Sequence, residues 1–122
     1  MQTRGSRPAD AGVRQVPPGT LEMLVLKVLS SGDEHGWGIG QRLEEASRGV
    51  FDVNQGSLYP ALQRLMRKGW IKSSWRVTTS GRRARYYALT KSGQKELVRE
   101  LAHWSRQVNA VQWVIGGAHV LD

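Results

Sequence analysis

The sequence predicts a mainly α domain with one small two-stranded hairpin and a long final helix. Three observations lead there. Apolar residues recur at helical spacing in four stretches, one stretch between residues 70 and 89 alternates like paired strands, and 122 residues with 39% hydrophobic content suffice for a single small core.

Residues 1–18, MQTRGSRPADAGVRQVPP, hold three prolines and no hydrophobic period, so they are expected to form a disordered basic arm. Thr20 is a plausible N-cap. Leu21, Leu24, Val25, Val28 and Leu29 then follow the i, i+3, i+4, i+7, i+8 spacing of one buried helical face, with Gly32 as the stop. Ile39, Leu43 and Ala46 mark a short second helix over residues 36–47. Its opening GWGIG resembles a phosphate-cradling loop, but no strand precedes it and no Gly-Lys-Ser/Thr follows, so close packing of helix backbones is the expected role.

A third helix starts between Asn54 and Ser57 and reaches Lys68, with Gly69 as its stop. Leu58, Leu62, Leu65 and Met66 form its core stripe. Gly56, Pro60, Gln63, Arg64 and Arg67 then face outward, with Tyr59 on the flank. A start at Ser57 would put Pro60 in the tolerated first turn, whereas an earlier start would place it inside the helix; both remain open.

From Trp70 to Val77, Ile71, Ser73, Trp75 and Val77 alternate with Lys72, Ser74 and Arg76. Residues 85–89 (RYYAL) are the partner strand, and TTSGRR supplies the turn. Such a hairpin needs support, here expected from Ile71, Trp75, Tyr87 and Leu89 leaning on the helices. Thr90 caps a last helix running from about Lys91 to Ile115, ended by Gly116 and Gly117. Leu97, Leu101, Trp104, Val108, Val111 and Ile115 are spaced 4, 3, 4, 3, 4, a heptad seam. At about 1.5 Å per residue this helix outruns a three-helix core, so a second copy of the chain is the expected cover for its distal half. The organisation is therefore an arm (1–18), a compact domain (19–90), a dimerisation helix (91–117) and a tail (118–122).

The formal net charge is +8, which points to a polyanionic partner. Its distribution is sharper than its sum. From Val53 to Lys95 there are ten Lys or Arg and no Asp or Glu. Arg82, Arg83 and Arg85 crowd one turn with no carboxylate nearby in sequence, beside a glycine that allows close approach to a backbone. Solvated charges on a hairpin tip are the bland explanation; phosphates or an electronegative minor groove are the favoured one, because the planar guanidinium can grip a phosphate with two hydrogen bonds.

Other classes are poorly supported. Without cysteine there is neither a disulfide framework nor a Cys-ligated zinc, and a reducing cytoplasm fits. His35, His103 and His119 are widely separated, with no HExxH and no nucleophile motif, so neither an enzyme nor a metal or cofactor site is expected. LEMLVLKVL is too short and too charged to cross a membrane, and no secretory signal is read. A protein-binding module of the same fold is the serious rival to a duplex-binding one, and an RNA-binding one a weaker third.

Three helices, the third basic-faced, followed by a hairpin are the order of a winged helix-turn-helix. TLEMLVLKVL, HGWGIGQRL, NQGSLYPALQRLMRKGWI and RRARYYALTKSGQKEL, in that order, resemble the PadR-type bacterial transcriptional regulators over roughly residues 19–115. The resemblance implies a repressor that binds an inverted-repeat operator in double-stranded DNA as a homodimer, through its first and last helices. The segment matching Gly56 to Arg64 would enter the major groove, and the turn matching Ser80 to Arg83 would lie along the minor groove or backbone. Tyr59 would touch the backbone.

Within that reading Gln55, Ser57 and Gln63 are candidates for base edges, Arg64 for a guanine or a phosphate, and Arg67 for a phosphate or plain solubility. Gly56, Tyr59, Pro60, Ser80, Arg82, Arg83 and Arg85 complete the expected DNA surface. Leu97, Leu101, Trp104, Val108, Val111 and Ile115 form the expected dimer seam. Trp104 is expected first to pack there; a flat aromatic effector held between two copies of it is the second expectation.

Overall fold

A computed structural model describes residues 16, 17 and 19–120, with only the backbone of residues 117–120. Its elements run α1 (Leu21–Leu29), β1 (Glu34–His35), α2 (Gly36–Ala46), α3 (Gln55–Arg67), β2 (Ile71–Val77), β3 (Arg83–Leu89) and α4 (Lys91–Val120). Of the arm expected over residues 1–18, all but Val16 and Pro17 lies outside the described residues.

α1 is the central post, packing against α2, α3 and α4. Besides Val25, Val28 and Leu29, it buries Met23 and Leu26, which the single-face pattern does not include. Thr20 precedes it without a side-chain cap; its hydroxyl donates to the Pro17 carbonyl instead, at 2.6 Å. Around the post, Ile39 and Leu43 of α2, Leu58, Leu62 and Leu65 of α3, Ile71, Tyr87 and Leu97 close one core. Ala46, expected in the α2 stripe, is exposed.

The sheet is three-stranded, not two-stranded: β1 pairs antiparallel with β3, Glu34 opposite Tyr87 and His35 opposite Tyr86. A two-residue strand has no period to read, and its partner lies some fifty positions away. In the hairpin proper, Ile71 faces Leu89 and Trp75 faces Arg85. Ile71 and Tyr87 are buried as expected, but Trp75 is 57% exposed, because the hairpin projects beyond the helices that cover its base.

The glycines of α2 pack against side chains rather than against a helix backbone. A Cβ on Gly36 would stand 2.5 Å from the Tyr59 hydroxyl, and one on Gly38 would collide with the Glu34 carboxylate. Gly40 has ordinary room. α3 begins after Asn54, whose side chain accepts from the Ser57 N–H at 2.8 Å. Pro60 therefore lies inside the helix, where it cannot donate to the Gly56 carbonyl, and both residues are exposed on the face turned from the core. Gly69, at φ +75°, ends α3 as expected.

The turn after α3 is bolted to the start of α4. Thr90 caps α4 by accepting from Gly93 N–H at 3.0 Å, and the Thr90 and Ser92 hydroxyls both donate to the Gly69 carbonyl. Gly93 sits so close to the Trp70 carbonyl that any side chain would overlap it. At its other end α4 runs through Gly116 and Gly117 to Val120 instead of stopping at Ile115, so residues 118–120 are helix rather than tail. Glycine lowers helix propensity by about 1 kcal/mol but ends a helix only where it takes up a terminating conformation.

Candidate nucleic-acid interface

The exposed face of α3 carries two adjacent stripes. Gly56, Pro60 and Arg64 follow one another at i+4 on one side, and Tyr59 and Gln63 on the other. Gln55, Ser57, Gln63 and Arg67 are all exposed. Their amide and hydroxyl groups have no hydrogen-bond acceptor or donor among the described side chains, apart from the backbone N–H of Ser57 that serves the Asn54 cap.

The wing stands beside the second stripe. Its turn is closed by Thr78 N–H to the Arg82 carbonyl at 2.7 Å and Gly81 N–H to the Thr78 carbonyl at 2.9 Å, with Gly81 at φ +87°. The Ser80 and Thr78 hydroxyls hydrogen-bond each other at 2.9 Å, so Ser80 braces the turn. Arg83 and Arg85 project on the same side of the hairpin as Trp75, their guanidinium carbons 5.2 and 5.6 Å from its ring centre. The ring's negative face holds both cations in place.

The acid-free span is not wholly without counter-charge, because acids distant in sequence fold back on part of it. Arg64 Nε donates to Glu22 of α1, which Lys68 also approaches at 3.5 Å, and Arg76 pairs with Asp33 at 2.7 Å. Arg64 is thus partly committed to joining α3 to α1. These pairs are exposed and contribute little stability, yet they mark which arginines hold the fold together. Arg67, Arg82, Arg83 and Arg85 have no ion pair among the described residues and are exposed.

Between the wing and α3 lies a notch of about 390 Å³, lined by Gly36, Trp37, Tyr59, Gln63, Trp75 and Arg85, with Tyr87 at its base. Trp37 is 62% exposed and Tyr59 41%. His35 anchors the α2 side: its Nδ1 accepts from Gly38 N–H at 3.0 Å, and its ring meets the Tyr86 ring edge-on. Burial raises the pKa of the Tyr87 phenol, and the nearby Arg85 charge only partly offsets it. Sequence reasoning missed Trp37 and Trp75 as surface aromatics. The signal was there in Trp75, which shares its alternation with a strand end rich in arginine.

α4 places the seam residues unequally. Leu97 is buried in the core and Val108 half-buried, whereas Leu101 and Trp104 are about two-fifths exposed and Val111 and Ile115 more so. Trp113, at 70% exposure, points from the opposite side of the helix, whereas Val114, at 80%, borders the apolar strip. Beside it a groove of about 720 Å³ runs between the start of α1 and the distal half of α4, lined by Thr20, Met23, His103, Trp104, Val108 and Val111. Among the described residues no group of His, Asp or Glu could hold a metal ion, and no helix is long and apolar enough to cross a membrane.

The family model described as "Transcriptional regulator PadR-like family" matches residues 25–99. Among solved structures, a transcriptional regulator from Clostridium thermocellum superposes with a TM-score of 0.71 at 26% identity, covering 77% of this chain and 91% of that one. A PadR family transcription regulator from Clostridium difficile is 30% identical, with a TM-score of 0.64 over 77% of this chain and 95% of its own. A PadR family transcriptional regulator from Eggerthella lenta is 28% identical, with a TM-score of 0.69 over 80% of this chain and 82% of its own.

Proposed function

Because the chain belongs to the PadR-like family, a family of transcriptional regulators and not of enzymes, we propose that it binds duplex DNA sequence-specifically as a homodimer and acts as a repressor at an inverted-repeat operator. The observation that carries this reading is the exposed polar face of α3 lying beside a wing whose Arg82, Arg83 and Arg85 lack described carboxylate partners. α3 enters the major groove, where Gln55, Ser57 and Gln63 meet base edges and Arg64 supplies its remaining donors to a guanine or a phosphate. Ser80, Arg82, Arg83 and Arg85 follow the backbone or the minor groove, and Arg67 takes a phosphate at the helix end.

The apolar strip of α4 supports the homodimer, since Trp104, Val111, Val114 and Ile115 together form an apolar surface of the kind a partner covers. The groove beside Trp104 is wide enough for a flat aromatic effector, and a titration of candidate aromatics against tryptophan fluorescence tests it. Binding to the chromosome places the protein in the cytoplasm. The function itself is tested by competition among duplex DNA, duplex RNA and a non-nucleic polyanion. Selective retention of duplex DNA supports the reading, whereas indifference among the three would identify a protein-binding adaptor or a nonspecific cation.

A further inference from the structure

The notch between α2, α3 and the wing combines features that the major-groove reading of α3 leaves unused. Two exposed indoles, Trp37 of α2 and Trp75 of β2, both line it. Trp75 is held by Arg83 and Arg85, so a guanidinium and an aromatic face are presented together. Tyr59 leans over Gly36, where only the absence of a side chain admits its ring, and this fixes the phenol at the rim. At the base is Tyr87, 2% exposed, whose hydroxyl has no hydrogen-bond partner among the described residues. A buried hydroxyl without a partner costs about 1–3 kcal/mol, so one facing a notch calls for an acceptor from outside.

The walls specify that acceptor's chemistry. Arg85, the phenols of Tyr59 and Tyr87 and the Gln63 amide all offer donors, and the first turn of α2 adds the positive end of its dipole. No carboxylate lines the notch. An anion flanked by a flat, weakly polar ring fits this lining: charge for the donors, and a sugar for the indoles. We propose that the notch is a preformed seat for one phosphodiester of a DNA strand, with Arg85, Tyr59 and Tyr87 taking the phosphate and Trp75 and Trp37 packing against the adjoining deoxyriboses. The seat lies next to Gln63, so it sets the register of α3 along the groove. This inference rests on the DNA-binding reading and adds Trp37, Trp75, Tyr87 and Gly36 to its surface.

The test uses a duplex recovered by selection, in which the linkages are replaced one at a time by uncharged methylphosphonates. At one linkage per half-site neutralisation weakens the wild type roughly ten-fold and costs Arg85→Ala distinctly less, as expected for partners in one charge-assisted contact that the two phenols share. Trp75→Ala binds about ten-fold more weakly while Trp75→Phe keeps most of the affinity, the scale of one aromatic contact. Tyr87→Phe, which preserves the ring in the core, also binds more weakly. Millimolar inorganic phosphate alone leaves tryptophan fluorescence unchanged. The proposal is overturned if every linkage costs wild type and Arg85→Ala equally, if Trp75→Ala binds like wild type, or if inorganic phosphate saturates the notch. In each of those outcomes salt-dependent duplex binding by the wild type would leave the DNA-binding reading standing; its absence would remove both.

Discussion

Replacing Arg82 and Arg83 together by alanine tests the wing most directly. Both side chains are exposed and neither pairs with a described carboxylate, so the fold loses nothing beyond the contact of Arg83 with Trp75. Arg67, Arg82, Arg83 and Arg85 offer four phosphate contacts per protomer, or about eight per dimer. At about 0.9 counterions released per contact, log K falls with log salt at a slope near −7, and affinity drops on the order of 10⁴-fold between 50 and 200 mM. The double variant keeps about four contacts, so its slope is near −3.6 and the same salt step costs only on the order of 10². Fluorescence anisotropy of a labelled duplex across that salt range reads both slopes. Because phosphates carry no sequence, specific and scrambled duplexes should weaken alike. An unchanged slope, or a loss confined to one sequence, would show that the wing does not neutralise the backbone.

Gln63→Ala should instead reorder sequence preferences with little change of salt slope, as a panel of single-base operator variants would reveal; an unchanged ranking would remove Gln63 from base readout. Gly93→Ala should destabilise the domain by about 2–3 kcal/mol, because the added methyl meets the Trp70 carbonyl and Leu89 Cδ1, the latter at 2.8 Å. Urea unfolding measures it, and a shift below 0.5 kcal/mol would mean that α4 can slide away from the α3 turn. On α4, a hydrogen bond with Glu96, partial burial and the charges of Glu96 and Glu22 raise the pKa of Glu100. Burial works against the charge of Glu96 too, but hydrogen bonds from Arg99 and Glu100, with the charges of Arg99 and Lys68, outweigh it and lower its pKa. A raised carboxyl pKa means that ionising Glu100 costs stability once pH exceeds its unfolded value, so Glu100→Gln should stabilise by about 0.3–1 kcal/mol at neutral pH. That gain should fade as pH falls below the raised folded-state pKa and be gone below the ordinary glutamate value of about 4.3, where the wild-type carboxyl is protonated in both states. Thermal melts at the two pH values check the sign.

Most of the architecture was legible because it rests on local periods. Leu58, Leu62 and Leu65 have to face one way on a helix, Gly69 has to end it, and Thr90 does cap α4. What escaped depends on distance or extent. β1 is too short to carry a period and exists through its pairing with Tyr86 and Tyr87. Alternation put Trp75 on the correct face of the hairpin, but it does not tell how far the covering helices reach, and Trp75 lies beyond them. The start of α3 turned on a side-chain bond from Asn54 that sequence admits without requiring. On the candidate interface, Arg64 and Arg76 looked unpaired because Glu22 and Asp33 lie more than forty residues away. Arg82, Arg83 and Arg85 at the wing tip kept their apparent freedom, since no described acid folds back to them.

The central claim, that two copies of this charged face read one duplex, is tested most directly by selecting bound fragments from a random duplex library with the full chain. An inverted repeat should emerge, its half-sites about 34–36 Å apart along the helix axis, one turn of DNA. Recovery of no common sequence, or of a single half-site without its mirror image, would contradict it.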